Sequence, residues 1–163
     1  MLGRVPLLKT LLFTIVVPGT VVVLVPWWLL KGQVSVHGGW TGAAGVALVV
    51  CGAALYLRCA WDFAMRGRGT PAPVDPPRQL VVAGVYRYVR NPMYLGVLCM
   101  LVGEAALFHA TVLLGYAGAF FLACHLFVIS HEEPTLRRKF GPAHERYCAA
   151  VPRWFPRLTP WTG

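Results

Sequence analysis

Negative charge is scarce in this 163-residue chain, where six aspartates and glutamates stand against fifteen lysines and arginines and charged residues make up only 13% of the sequence. A water-soluble domain carries about 25% charged residues, so the composition excludes an ordinary soluble surface. With 57% of its residues hydrophobic, much of the surface is expected to face lipid. The five cysteines, Cys51, Cys59, Cys99, Cys124 and Cys148, form no CxxC pair and no even-numbered framework, which excludes a disulfide scaffold. No His/Cys cluster has metal-ligand spacing, and internal repeats and low-complexity tracts are lacking. The net charge of +9 raises nucleic acid as a partner, but the basic residues gather at the ends of apolar segments without any nucleic-acid-binding signature.

What the chain does have is long apolar runs. A helix needs about 20 apolar residues to cross the hydrocarbon core. Residues 7–30 satisfy this despite Pro18 and Pro26, which membrane helices tolerate and which are expected to bend this one. The run has no small-residue cleavage site, so it reads as a retained helix rather than a signal peptide. Residues 41–63 satisfy the length again. Residues 93–129 are too long for one crossing and divide into helices over about 93–108 and 111–130, turning near Phe108 to Thr111. The expected fold is all-α: one membrane domain over 1–163, a bundle of four transmembrane helices with a cytoplasmic loop 64–92 and a short helical cytoplasmic tail 131–163.

The arginines and lysines test that division, because cytoplasmic loops are enriched in them. Arg66, Arg68, Arg78, Arg87 and Arg90 lie between the second and third segments, and Arg137, Arg138, Lys139, Arg146, Arg153 and Arg157 follow the fourth. Only Lys31 falls in a predicted outer loop. Both basic regions share a side only if an even number of crossings separates them, and Arg4 and Lys9 place the N-terminus there too. The reading is a multi-pass integral membrane protein with both termini cytoplasmic, in a bacterial inner membrane or the endoplasmic reticulum. Glu104 and His109 then sit near the far interface.

The stretch GVYRYVRNPMYLG, residues 84–96, passes from an aromatic and basic loop into the third helix. Pro92 suits a first helical turn, and a helix N-terminus presents unpaired N–H groups able to hold an anionic group such as a carboxylate. Gly96, one turn in, lets either a ligand or a neighbouring helix approach the backbone. Glu132 and Glu133 fall at the cytoplasmic end of the fourth segment, where negative charge opposes the helix dipole. A bound cation or pairing with Arg137, Arg138 or Arg90 would offset this. His125 precedes Glu132 by nearly two turns and is expected on the same face, either as a site residue or as a neutral interhelical hydrogen-bonding group. Arg58 and Asp62 can pair across one turn. Trp27, Trp28, Trp154 and Trp161, with Arg153 and Arg157, stand where interfacial anchors are expected.

Taken in order, GVYRYVRNPMYLG, a membrane hairpin, HEEPTLRRKFG, Tyr147 and VPRWFPR resemble the isoprenylcysteine carboxyl methyltransferase and phospholipid methyltransferase family, over about residues 84–157. The resemblance implies an S-adenosylmethionine pocket between the last two helices and the tail. Carried onto matching positions, it implies cofactor contacts from Arg90, Asn91, Pro92, Tyr94, Leu95, Gly96, Glu132 and Glu133. His125 joins them from its place on the fourth helix, and Glu132 and Arg90 are the candidate catalytic residues. Asn91 stands where many members have histidine, which removes an acid–base role there, and His144 stands where tyrosine is common. The implied activity is methyl transfer to a membrane-dissolved acceptor, either an isoprenylated cysteine carboxylate or a phospholipid amine. Two other readings stay open: an NADPH-dependent reductase of the sterol-reductase type, and a non-catalytic scaffold anchored at anionic membrane lipid.

Overall fold

A computed structural model describes residues 16–62, 65 and 80–163. Arg4, Lys9, the start of the first apolar run and the loop arginines Arg66, Arg68 and Arg78 lie outside the described residues. Among the described residues the chain is helical, with no β-strand. Helix α1 is Val16–Leu29, α2 is Gly39–Asp62, and a 3-10 turn over Gly84–Arg87 leads into α3, Pro92–Leu107. Helix α4, Thr111–Phe127, continues through a π turn, Val128–Glu132, into α5, Glu133–Phe140. Helix α6 is Pro142–Ala150.

Of the four expected crossings, two are long and apolar enough among the described residues: α2 and the continuous Thr111–Phe140 rod. Helices α1 and α3 are apolar but shorter. At 16 residues α3 spans about 24 Å, less than the about 30 Å of a typical hydrocarbon core.

Glycine sets the closest helix pair. A Cβ on Gly52 of α2 would come 2.5 Å from the Gly96 carbonyl of α3, and one on Gly103 would come 2.7 Å from the Gly45 carbonyl. Both helices place glycines seven residues apart, so the antiparallel backbones touch at two levels, as small residues permit in membrane helices. Leu101 of α3 and Leu113 of α4 are fully buried, and Val22, Tyr56, Val97 and Ala117 join α1 to the other three in one apolar cluster.

The rod corrects one sequence expectation. The helix was expected to end near residue 130, leaving Glu132 and Glu133 at its C-terminus, but helical backbone runs on to Phe140. The reason is local. In the π turn the Glu133 N–H reaches back to the Val128 carbonyl, and this wide turn accommodates Pro134, whose missing N–H would interrupt an α-helix. Helix α1 repeats the device: the Val25 N–H bonds the Thr20 carbonyl, and Pro26 follows. The shifted ladder frees the Val21 carbonyl, and the Tyr116 hydroxyl of α4 donates to it at 3.1 Å.

At the end of the bundle away from Pro92, the rings of His37 and His109 stack with centroids 4.3 Å apart. Thr41 Oγ1 lies 2.8 Å from His109 Nε2. This closes the α1–α2 connection over the 108–110 turn.

Candidate functional site

The site begins where the loop before α3 meets α2. Gly84 has φ +56°, and a Cβ there would come 2.5 Å from Asp62 Oδ2, so only glycine lets the loop tuck against that carboxylate. Arg58 pairs with Asp62 at 3.5 Å, across one turn of α2. Tyr86 is buried, and its carbonyl accepts a 2.7 Å hydrogen bond from the Tyr147 hydroxyl of α6. Burial raises the ionisation of both phenols well above the ordinary range, Tyr86 also feeling Cys59 and Tyr147, so both stay neutral donors.

The C-terminal segment then laces along this loop. The Arg90 N–H donates to the Pro152 carbonyl at 3.0 Å, that of Arg157 to the Tyr88 carbonyl at 2.9 Å, and that of Trp161 to the Arg87 carbonyl at 3.0 Å. Arg87 Nε returns a 2.6 Å bond to the Trp161 carbonyl, and Asn91 Nδ2 donates to the Arg153 carbonyl at 3.2 Å. These bonds hold Arg90 and Asn91 rigidly just ahead of Pro92.

Across from them the two glutamates part company. Arg153 forks onto Glu133, Nε to Oε1 at 2.7 Å and Nη2 to Oε2 at 2.8 Å. Arg90 Nη1 adds a 2.8 Å bond to the same Oε1 and a 2.9 Å bond to Cys148 Sγ. Glu132 instead accepts a 3.1 Å bond from the Tyr94 hydroxyl. The carboxylates do not share one cation; Glu133 takes two arginines and Glu132 takes a phenol. Of the expected surface partners only Arg90 pairs with Glu133, while Arg137 pairs with Glu145 at 3.6 Å.

Glu132, Tyr94, Arg90 and Asn91 line one part of a cleft. Its remaining walls are largely apolar: Val17, Pro18 and Val21 from α1, Met93 and Val97 from α3, Phe120 from α4, and the rings of Tyr56 and Tyr86. Arg90 Nε is buried and has no hydrogen-bond partner among the described residues. Beside the arginine pair, His144 is buried, and desolvation, opposed by Glu133 and reinforced by Arg90 and Arg137, lowers its pKa below the ordinary 6.5. Burial likewise raises the Cys148 thiol.

The structure thus brings Arg90, Asn91, Tyr94 and Glu132 into one cleft, and places the other candidates elsewhere. Gly96 faces α2, where an added Cβ would sit 2.9 Å from the Gly52 carbonyl and 3.1 Å from the Tyr56 nitrogen. Pro92 is buried at the start of α3 and Leu95 is half-buried on it; neither lines the cleft. His125 accepts a 3.0 Å bond at Nδ1 from Trp154 Nε1, and it too lies off the cleft because the intervening π turn spoils the two-turn spacing to Glu132. Sequence reasoning passed over Tyr56 and Phe120, aromatic residues with no local pattern to mark them, and named no role for Tyr86 although it stands within GVYRYVRNPMYLG. Arg153, which the sequence sets among interfacial anchors and marks within VPRWFPR as the one of them that could also serve the site, forks onto Glu133 with both arms of its guanidinium.

Among the described residues no group of three or more His, Cys, Asp or Glu side chains could hold a metal ion. No solved structure matches the chain. Residues 40–143, from α2 through α5, match the family described as phospholipid methyltransferase, and the stretch includes all four polar residues of the cleft. The match spans well over half of the sequence, and with two helices long and apolar enough for a bilayer it makes this a membrane protein that belongs to the phospholipid methyltransferase family.

Proposed function

We propose that the protein transfers a methyl group from S-adenosylmethionine to a lipid-like acceptor dissolved in the membrane, of the phospholipid amine or isoprenylcysteine carboxylate type. One observation carries the reading: Glu132 faces a cleft whose opposite walls are apolar and partly contributed by α1, while Glu133 is tied down by two arginines. The donor set fits the cofactor. A carboxylate, a phenol and an amide line the cleft, complementary to an ammonium, a sulfonium and ribose hydroxyls, and Arg90 Nε is a buried donor for an anionic or carbonyl group. When bound, S-adenosylmethionine supplies an electrophilic methyl group on a sulfonium.

The chain's own part is alignment and exclusion of water, which can remove much of the barrier to a displacement. Glu132, held by Tyr94, orients the cationic partner, while Arg90 and Asn91 are fixed by the laced tail. Gly96 sets the start of α3 against α2, Pro92 opens that helix and the Leu95 N–H bonds the Asn91 carbonyl, and His125 and Glu133 act through Trp154, Arg153 and Arg90. The acceptor reaches the cleft laterally between helices, along Val17, Val21 and Phe120. A carboxylate acceptor needs no base, and for an amine acceptor Glu132 is the group placed to take the proton. The topology that fits is multi-pass with both termini cytoplasmic, in a bacterial inner membrane or the endoplasmic reticulum. A phosphate-bearing nicotinamide would call for several cations, whereas the one arginine lining this cleft among the described residues is shared with Glu133.

Calorimetric titration of the purified protein with S-adenosylhomocysteine tests the reading. Glu132→Gln should weaken binding by about tenfold or more, as expected for loss of a hydrogen bond to a charged group worth about 1.5–3 kcal/mol. Unchanged affinity in that variant, or saturable binding of NADPH instead, would sink the assignment.

A further inference from the structure

We propose that the Tyr116 hydroxyl is the catch of a lateral gate between α1 and α4: its bond to the Val21 carbonyl holds α1 against the cleft, and its release admits a lipid from the bilayer. The proposal rests on the reading above that the acceptor enters from the membrane, and it adds the residue that controls the entry.

Pro26 makes the acceptor for this bond available. In a regular α-helix the Val21 carbonyl would take the Val25 N–H, but that N–H bonds the Thr20 carbonyl instead. The next residue, Pro26, has no N–H to give. A carbonyl left unpaired away from water is costly, so α1 carries an acceptor that its own ladder leaves open. The Tyr116 hydroxyl fills it at 3.1 Å.

The tie sits on the cleft itself. Val21 lines it together with Val17 and Pro18 of α1, and so does Phe120, one turn along α4 from Tyr116. Val17 is 43% exposed although it lines the cleft, so at α1 the cleft wall is also the outer surface of the bundle. Helix α1 is lightly held. Among its described residues only Val22 and Pro26 are buried, while Val23, Leu24, Trp27 and Trp28 are exposed. Elements with few buried apolar contacts open at low free-energy cost, and elements that close over a site commonly control access to it. One neutral hydrogen bond shifts an equilibrium by about tenfold or less, enough to bias the seam shut without locking it. The outer edge of the seam is apolar, with Val16 of α1 and Leu114 of α4 exposed, whereas Arg90, Asn91, Tyr94 and Glu132 make the far part of the cleft polar. A molecule that passes the seam and fills the cleft therefore has an apolar body and a polar head.

The test places the full chain in phosphatidylcholine vesicles containing a phosphatidylethanolamine with a mid-chain diazirine, photolysed and mapped by peptide mass spectrometry. Val97, buried and lining the cleft, reports entry, and Leu122, exposed on α4, reports the surrounding lipid. Tyr116→Phe should raise the ratio of Val97 to Leu122 adducts by about three- to tenfold, as expected for one lost hydrogen bond. Pro26→Ala returns an N–H to α1 that lets its ladder satisfy the Val21 carbonyl internally, so it should act in the same direction, and the double variant should add little to either change. Affinity for S-adenosylhomocysteine should stay within about twofold in Tyr116→Phe. An unchanged or lower ratio in Tyr116→Phe, a rise in one single variant without the other, or additive rises in the double variant would each overturn the proposal. A rise accompanied by lost S-adenosylhomocysteine affinity would make the hydroxyl a support of the whole cleft and overturn it equally. Wild-type protein that fails to bind S-adenosylhomocysteine while its ratio responds as expected would sink the methyltransferase reading and leave the gate standing.

Discussion

Arg153 grips Glu133 with both arms of its guanidinium, at 2.7 and 2.8 Å, and so binds the C-terminal segment to the rod twenty residues earlier in the chain. Arg90 reaches the same carboxylate from the start of α3 at 2.8 Å. Three separate parts of the sequence therefore converge on one charge. A fork of two parallel N–H bonds is also geometrically demanding, which separates this contact from a general attraction of basic groups to acid.

Glu133→Gln should cost about 2 kcal/mol of stability, because two partly buried guanidiniums lose their counter-charge. Arg153→Lys should be destabilising as well, since an ammonium cannot reproduce the planar fork. Thermal unfolding in detergent measures both. A wild-type midpoint for Arg153→Lys would show that charge alone suffices.

Tyr94→Phe removes the one hydroxyl seen on Glu132 and leaves the ring against Trp154. Its affinity for S-adenosylhomocysteine should fall by a few-fold, the cost of one hydrogen bond of about 1 kcal/mol, and by less than in Glu132→Gln. Calorimetry on the two variants side by side checks the order; equal losses would mean Tyr94 contacts the ligand in its own right.

Gly52→Ala should destabilise by about 1–3 kcal/mol, since a methyl 2.5 Å from the Gly96 carbonyl must push α2 and α3 apart. Gly115 is the control. Nothing lies within 4 Å of its added Cβ, so Gly115→Ala should be neutral or stabilising by about 0.5–1 kcal/mol through helix propensity. Opposite shifts in unfolding temperature are the expected result.

Acid should loosen the tail through His144. Its folded pKa lies below 6.5, chiefly from desolvation, so at a pH between the two values the unfolded chain holds a proton that the folded chain does not. Stability is then fully present above 6.5 and falls as pH drops toward the lower folded pKa. Hydrogen exchange of α6 should speed up between about pH 7.5 and about pH 5.5 after correction for intrinsic rates. His144→Gln should flatten that change; an unaltered profile would assign it to other groups.

Much of this protein is written locally. Scarce charge and long apolar runs are properties of neighbouring residues, so helical membrane character is readable without contacts. The stretch 84–96 and the pair Glu132–Glu133 likewise stand out by composition, and Arg90, Asn91, Tyr94 and Glu132 from them reappear together in the cleft. Helix length was less legible. Pro134 signals a stop when read alone, yet a π turn ahead of it lets the rod continue, and no propensity rule anticipates that substitution of one hydrogen-bond pattern for another.

The sequence by itself determined a helical membrane chain of the methyltransferase family and the short list of polar residues from which its site is drawn. Only the tertiary structure decided which of them meet: that Glu132 turns to the cleft and Glu133 to Arg90 and Arg153, that Gly96 serves α2 rather than the cleft, and that Trp154 reaches down to His125. The physical reason is range. Composition and periodicity report interactions within a few residues along the chain, whereas these partners lie 20 to 62 positions apart, and whether a side chain faces ligand, lipid or counter-ion depends on what the folding of the remote segments sets against it.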